Sequence, residues 1–143
     1  MNPAARQSRL LEQFAILPDP QERLAGIVNR RPRIATLPPE ERCDELLVPG
    51  CVSKVWIRGS IDGGRFRLQA DADAHVVRGL VMFLGELFDD SDPADAANFE
   101  PTILDELGIT RMLTPTRLNG LTQVCRRIRE LAAHPTAVTI LER

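Results

Sequence analysis

Lysine is almost missing from this sequence. Seventeen of the eighteen basic residues are arginine and Lys54 stands alone, so a pyridoxal cofactor, held as a Schiff base on a lysine amine, has a single place to attach. That chemistry is nearly excluded within the chain. Cysteine is sparse as well: Cys43, Cys51 and Cys125 are odd in number and form no Cys-x-x-Cys pair, which argues against both a disulfide framework and a structural zinc site. His75 and His134 have no metal-ligand spacing to a cysteine, so no resident metal or cofactor is expected. Long apolar runs are absent too, because the stretch Val76–Phe88 is interrupted by Arg78 and Glu86 and is far too short for a bilayer. Near the start, Arg6 and Arg9 are followed by Glu12 and not by an apolar segment with a small-residue cleavage site. A cytoplasmic protein with three free thiols is the expectation. A net charge of −2 gives no field that would gather a polyanion, and the basic cluster Arg126, Arg127 and Arg129 sits beside Glu130. Neither nucleic acid nor a membrane is an expected partner.

What is present reads as an ordinary globular chain. A length of 143 residues with 43% hydrophobic and 27% charged residues suits one domain over 1–143, able to bury a core without staples. Leu10, Leu11, Phe14 and Leu17 recur at helical spacing up to Pro18. Asp19, Pro20 and Glu22 make a capping-box start for a second helix with Leu24, Ile27 and Val28 buried. Prolines 32, 38 and 39 leave residues 31–50 mostly as connection. The period then changes: Val55, Ile57 and Ile61, and later Phe66 and Leu68, alternate with polar or outward residues around Asp62-Gly63-Gly64, which predicts a β-hairpin. Leu46–Val48 is a candidate third strand. Asp71 or Asp73 is placed to cap a third helix with a broad apolar face from Val77 to Phe88. Short helices follow from Asp92-Pro93 and over Pro101–Leu107, and a final one runs from Thr114-Pro115 to His134-Pro135, with 135–143 expected to fray. The order implies an α+β fold, a small antiparallel sheet of about three strands with helices packed on it.

The thiols differ in setting. Cys125 belongs to the apolar stripe of the last helix, where a free cysteine behaves as a small hydrophobe. Cys43 lies in a charged connection without an evident partner. Cys51 follows Pro49-Gly50, a rigid and then a permissive residue, as a nucleophile displayed on a turn requires, although a turn cysteine is also compatible with no role at all.

The neighbours decide between those readings. Val48-Pro49-Gly50-Cys51-Val52-Ser53-Lys54-Val55-Trp56-Ile57 resembles the Gly-Cys-x-Ser-x-Val-Trp segment of the SufE family of cysteine desulfuration proteins. The resemblance continues through Asp71-Ala72-Asp73-Ala74, Val77 and Gly79-Leu80, then Pro93 with Asn98-Phe99, then Leu113-Thr114-Pro115-Thr116-Arg117 with Gly120-Leu121, covering about residues 5–133. Thr116 departs from the family's usual Pro-Ser-Arg, and Lys54 stands where glutamine is common. The resemblance implies a fold similar to iron–sulfur scaffold proteins of the IscU type. It also implies a sulfur acceptor that takes persulfide sulfur from a SufS-like cysteine desulfurase onto Cys51, stimulates that enzyme and passes sulfur toward iron–sulfur cluster assembly, with no turnover of its own. Arg117 then matches an arginine that supports the thiolate or holds the partner, against a cap or salt bridge at a helix start. Asp71 and Asp73 are either partner contacts or caps. The competing readings are a scaffold that itself carries a cluster, and an interaction domain with no covalent role.

Overall fold

The computed structural model describes residues 1–134 and, as backbone only, 139–141. In chain order the elements are α1 (Pro3–Ala15), α2 (Pro20–Val28), β1 (Ala35–Thr36), 3-10 turns at Pro39–Glu41 and Asp44–Leu46, β2 (Val55–Asp62), β3 (Arg65–Ala72), α3 (His75–Phe88), α4 (Pro93–Ala97), α5 (Ile103–Glu106), a 3-10 turn at Thr110–Met112, α6 (Pro115–Ala133) and β4 (Thr139–Leu141). Gly63 and Gly64 both sit at positive φ, +58° and +78°, as a two-residue hairpin turn whose twist matches its strands requires. They join β2 to β3 in full antiparallel register from Val55 opposite Ala72 to Asp62 opposite Arg65. Alternation sends Val55, Ile57, Phe66, Leu68 and Ala70 to one face, all buried, and α3 covers that face. Nine residues of α3 are buried, so it is the central helix, flanked by α1 and α2 on one side and α6 on the other. Phe14 meets Phe83 edge to face at 5.3 Å. Each large side chain buried in this way contributes roughly 1.5–3 kcal/mol. None of the described helices is long and apolar enough to cross a membrane.

The expected α+β class is what forms, but the edges of the sheet differ from expectation. The strand order is β1-β3-β2-β4, and both outer strands run parallel to their neighbours, so the sheet is mixed. Leu46–Val48 is not a strand: it contributes one bridge, Leu47 to Trp56, and a hydrogen bond from the Val48 N–H to the Val55 carbonyl at 2.9 Å. Within the supposed frayed tail, Thr139–Leu141 pairs with Ser60–Asp62; the rest of that tail lies outside the described residues. Both edge strands are too short to carry a period of their own, and pairing alone defines them.

The expected caps at Asp19 and Thr114 are present, each side chain accepting a backbone N–H three residues on. The expected cap of α3 is not. Its N-cap is Ala74, without a side-chain hydrogen bond, because Asp71 and Asp73 are engaged elsewhere. Asp71 lies on the outer face of the sheet beside Trp56, only 3% exposed. It takes ion pairs from Arg42 at 3.0 Å and Arg78 at 2.7 Å and a hydrogen bond from the Ala72 N–H. Arg42 also stacks over Trp56 at 5.3 Å and donates to the Leu37 carbonyl. One carboxylate thus clips the 37–47 connection onto the sheet. Burial alone would raise the Asp71 carboxyl, but the hydrogen bonds from Arg78 and the Ala72 N–H and the charges of Arg78 and Arg42 hold it below the usual range. Its stabilising effect is therefore present above the unfolded value of about 3.9 and is lost as pH falls through the lower folded value. Asp71→Asn should cost about 2–3 kcal/mol at pH 7, at the low side for a broken buried pair because both arginines are partly solvated. Urea unfolding should show the gap from wild type narrowing below pH 4; a gap independent of pH would contradict this account.

Candidate functional site

The chain leaves the 37–47 connection, is pinned where Val48 bonds Val55, and is pinned again at Lys54. There the Lys54 N–H donates to Asp73 Oδ1 at 3.0 Å and the Asp73 N–H donates to the Lys54 carbonyl at 3.0 Å. Residues 49–53 arch between these anchors. Gly50, at φ +84°, takes the left-handed conformation that turns the arc and that other residues resist. Two residues on, Val52 points into solvent, 83% exposed, while the intervening Cys51 side chain turns inward.

Cys51 is half-buried at a cleft of about 310 Å³. Walls come from three elements: Val55 of β2, Val77 and Leu80 of α3, and Leu121 and Val124 of α6. The Sγ–H donates to the Gly120 carbonyl at 3.4 Å. Burial pushes the Cys51 thiol above its ordinary value, since an apolar wall disfavours a thiolate. In this position the sulfur is a sheltered thiol.

Arg117 stands at the mouth of the same cleft with Ser53 and Thr116. Thr114 caps α6 and Pro115 opens it, which places Arg117 in the first turn beside the arc. Its side chain is exposed, and among the described residues it makes neither the cap nor the salt bridge considered for it from sequence. Of the four candidate residues, the structure brings Cys51 and Arg117 together. Asp73 supports the arc from behind through Lys54, and Asp71 lines no part of the cleft. The aliphatic walls and Gly120 were not singled out in the sequence; only their place in apolar stripes, or in the matched Gly120-Leu121 pair, marked them.

The other thiols are elsewhere. Cys43 is exposed, and Cys125 is buried in α6 with its thiol pushed up to about 11 by burial. Among the described residues, no three of His, Cys, Asp or Glu come together as metal ligands.

The family model described as SufE, the Fe–S metabolism associated domain, matches residues 8–132. This chain belongs to the SufE family. The match covers the hairpin, the arc and all but the last residue of α6, and the SufE domain carries a role in Fe–S metabolism. A solution structure of a hypothetical protein from Thermus thermophilus superposes with a TM-score of 0.73 over 95% of this chain and 98% of that one, at 21% identity, which is a likeness of fold.

The three settings predict an order of reactivity for this SufE-family chain. With iodoacetamide at pH 8, Cys43 should be alkylated first, Cys51 several-fold more slowly, and Cys125 only on unfolding, as read by mass spectrometry of digests. Alkylation of Cys125 in the folded protein at the rate of Cys43 would contradict the burial described.

Proposed function

We propose that this protein is a sulfur acceptor that takes persulfide sulfur from a SufS-like cysteine desulfurase onto Cys51, works in the cytoplasm, and relays the sulfur toward an iron–sulfur scaffold. The observation that carries the reading is a thiol at the tip of a two-anchor arc, sheltered in an apolar cleft with an exposed arginine at its mouth. A sheltered thiol is a poor nucleophile. Outward rotation of residues 49–53 exposes it to water and to a partner, where the thiolate forms. That thiolate attacks the outer sulfur of the donor persulfide, the donor's S–S bond breaks, and the donor leaves as its own thiolate, with no net oxidation. The donor's regained thiol can begin another turnover, which is how an acceptor without turnover of its own stimulates the enzyme.

The exposed Val52 and Arg117 flank the site of exchange and suit a partner surface with an apolar contact and an acidic group. Contact there is expected to be transient, as a carrier must leave with its cargo. The three cysteines occupy three separate settings, which supports a carrier over a cluster scaffold, since a cluster is held by several thiolates together.

Intact-mass measurement after incubation with a desulfurase and free cysteine should show one added sulfur. Cys51→Ser should lose this addition and the stimulation of alanine release, while keeping the wild-type melting temperature within a few degrees. Stimulation by Cys51→Ser equal to wild type would transfer the reading to a non-covalent interaction domain. Arg117→Ala should lower the transfer rate on the order of tenfold, about 1.4 kcal/mol, with stability nearly unchanged because its guanidinium holds nothing among the described residues. A lowered melting temperature with full transfer would make Arg117 structural.

A further inference from the structure

Gly120 sits in the second turn of α6, with none of the usual reasons for a glycine. Its φ is not positive, and glycine is among the poorest formers of a helix interior. Close helix approach does not account for it either. A Cβ on Gly79 would meet the Val28 Cα at 2.8 Å, and one on Gly85 the Ile34 side chain at 2.7 Å, whereas a Cβ on Gly120 would have one neighbour within 4 Å, Cys51 Sγ at 3.7 Å. That is ordinary contact, so an alanine there would accommodate the thiol. It would take up the space on that side of the sulfur, in the cleft that Cys51 and Gly120 both line. A second sulfur lies about 2.05 Å from the first, and one turned toward α6 would come to where a methyl group at position 120 would lie.

We propose that Gly120 is the positioning residue of the loaded state: its missing side chain forms the subsite in which the outer sulfur of a Cys51 persulfide is sheltered. The inference rests on the persulfide reading above and assigns to α6 a distinction between the empty and loaded carrier. The bare Cα gives the outer sulfur space, the Gly120 carbonyl accepts its S–H as it accepts that of the thiol, and Leu121 and Val124 on the same helix help close off water.

The test compares wild type with Gly120→Ala, both carrying Cys43→Ser so that the exposed thiol does not load. Each is loaded with inorganic polysulfide: the Cys51 thiolate bonds a terminal sulfur, one S–S bond of the polysulfide breaks, and the shortened polysulfide leaves. After desalting, dithiothreitol is added and the loss of one sulfur is followed by intact mass, while iodoacetamide alkylation of the unloaded proteins is timed in parallel. Gly120→Ala should lose its persulfide at least fivefold faster than wild type, with its thiol alkylation rate within twofold and its melting temperature equal or higher. Gly120→Ser, of similar reach, should show the same separation of persulfide from thiol. Equal persulfide lifetimes would overturn the proposal, and so would an equal acceleration of both reactions, which would mean that position 120 merely seats the arc. Loading here involves no desulfurase, so failure of Cys51 to accept sulfur from that enzyme would remove the relay while the lifetimes still decided the role of Gly120.

Discussion

The inner face of the β2–β3 hairpin has to be covered, and α3 is what covers it. A hairpin alone is marginal in water; with α3 laid across Val55, Ile57, Phe66 and Leu68 it becomes a platform. Everything that makes the site is measured from that platform. Val55 and Leu80 are core residues and cleft walls at once, the arc of Cys51 springs from the first residues before β2, and α6 is set against α3 at the depth that puts Gly120 beside the sulfur. A fault in this layer would therefore reach the thiol without touching it.

The proposed relay places two opposed demands on one atom. Attack on a persulfide needs a thiolate and access, while holding sulfur needs the absence of both. No single environment meets both, and the proposed outward rotation would separate them in space. Two anchors, at Val48 and Lys54, hold the ends of the arc, so the proposed movement of residues 49–53 would leave the rest of the fold in place. The inward position is held by one S–H···O contact and by apolar burial, interactions that are individually weak.

Much of this was legible in the sequence where the cause is local. Alternation and the Gly63-Gly64 pair give the hairpin, and Asp19 and Thr114 before prolines give two helix starts. Pro49-Gly50 and the surrounding motif mark Cys51, and the motif also marks Arg117. Causes that act across the chain were not legible. Asp71 resembles a helix cap because the pattern cannot show Arg42, twenty-nine residues earlier, arriving at its carboxylate. The strands β1 and β4 have two and three residues, too few for a periodicity, and exist through their pairing. The cleft itself is assembled from β2, α3 and α6, and a glycine inside a helix reads in sequence only as a weak point in that helix.

The clip at Asp71 has an optical consequence. The chain contains one tryptophan and no tyrosine, and that tryptophan, Trp56, lies under Arg42 on the strand that begins just beyond the Cys51 arc. Indole emission depends on the charges and solvent next to the ring, so the whole intrinsic fluorescence of the protein arises from one spot between the clip and the arc. The molecule carries its own reporter: a partner that loosens the connection from the sheet would register as a change in colour or intensity at a residue it never touches, without any dye.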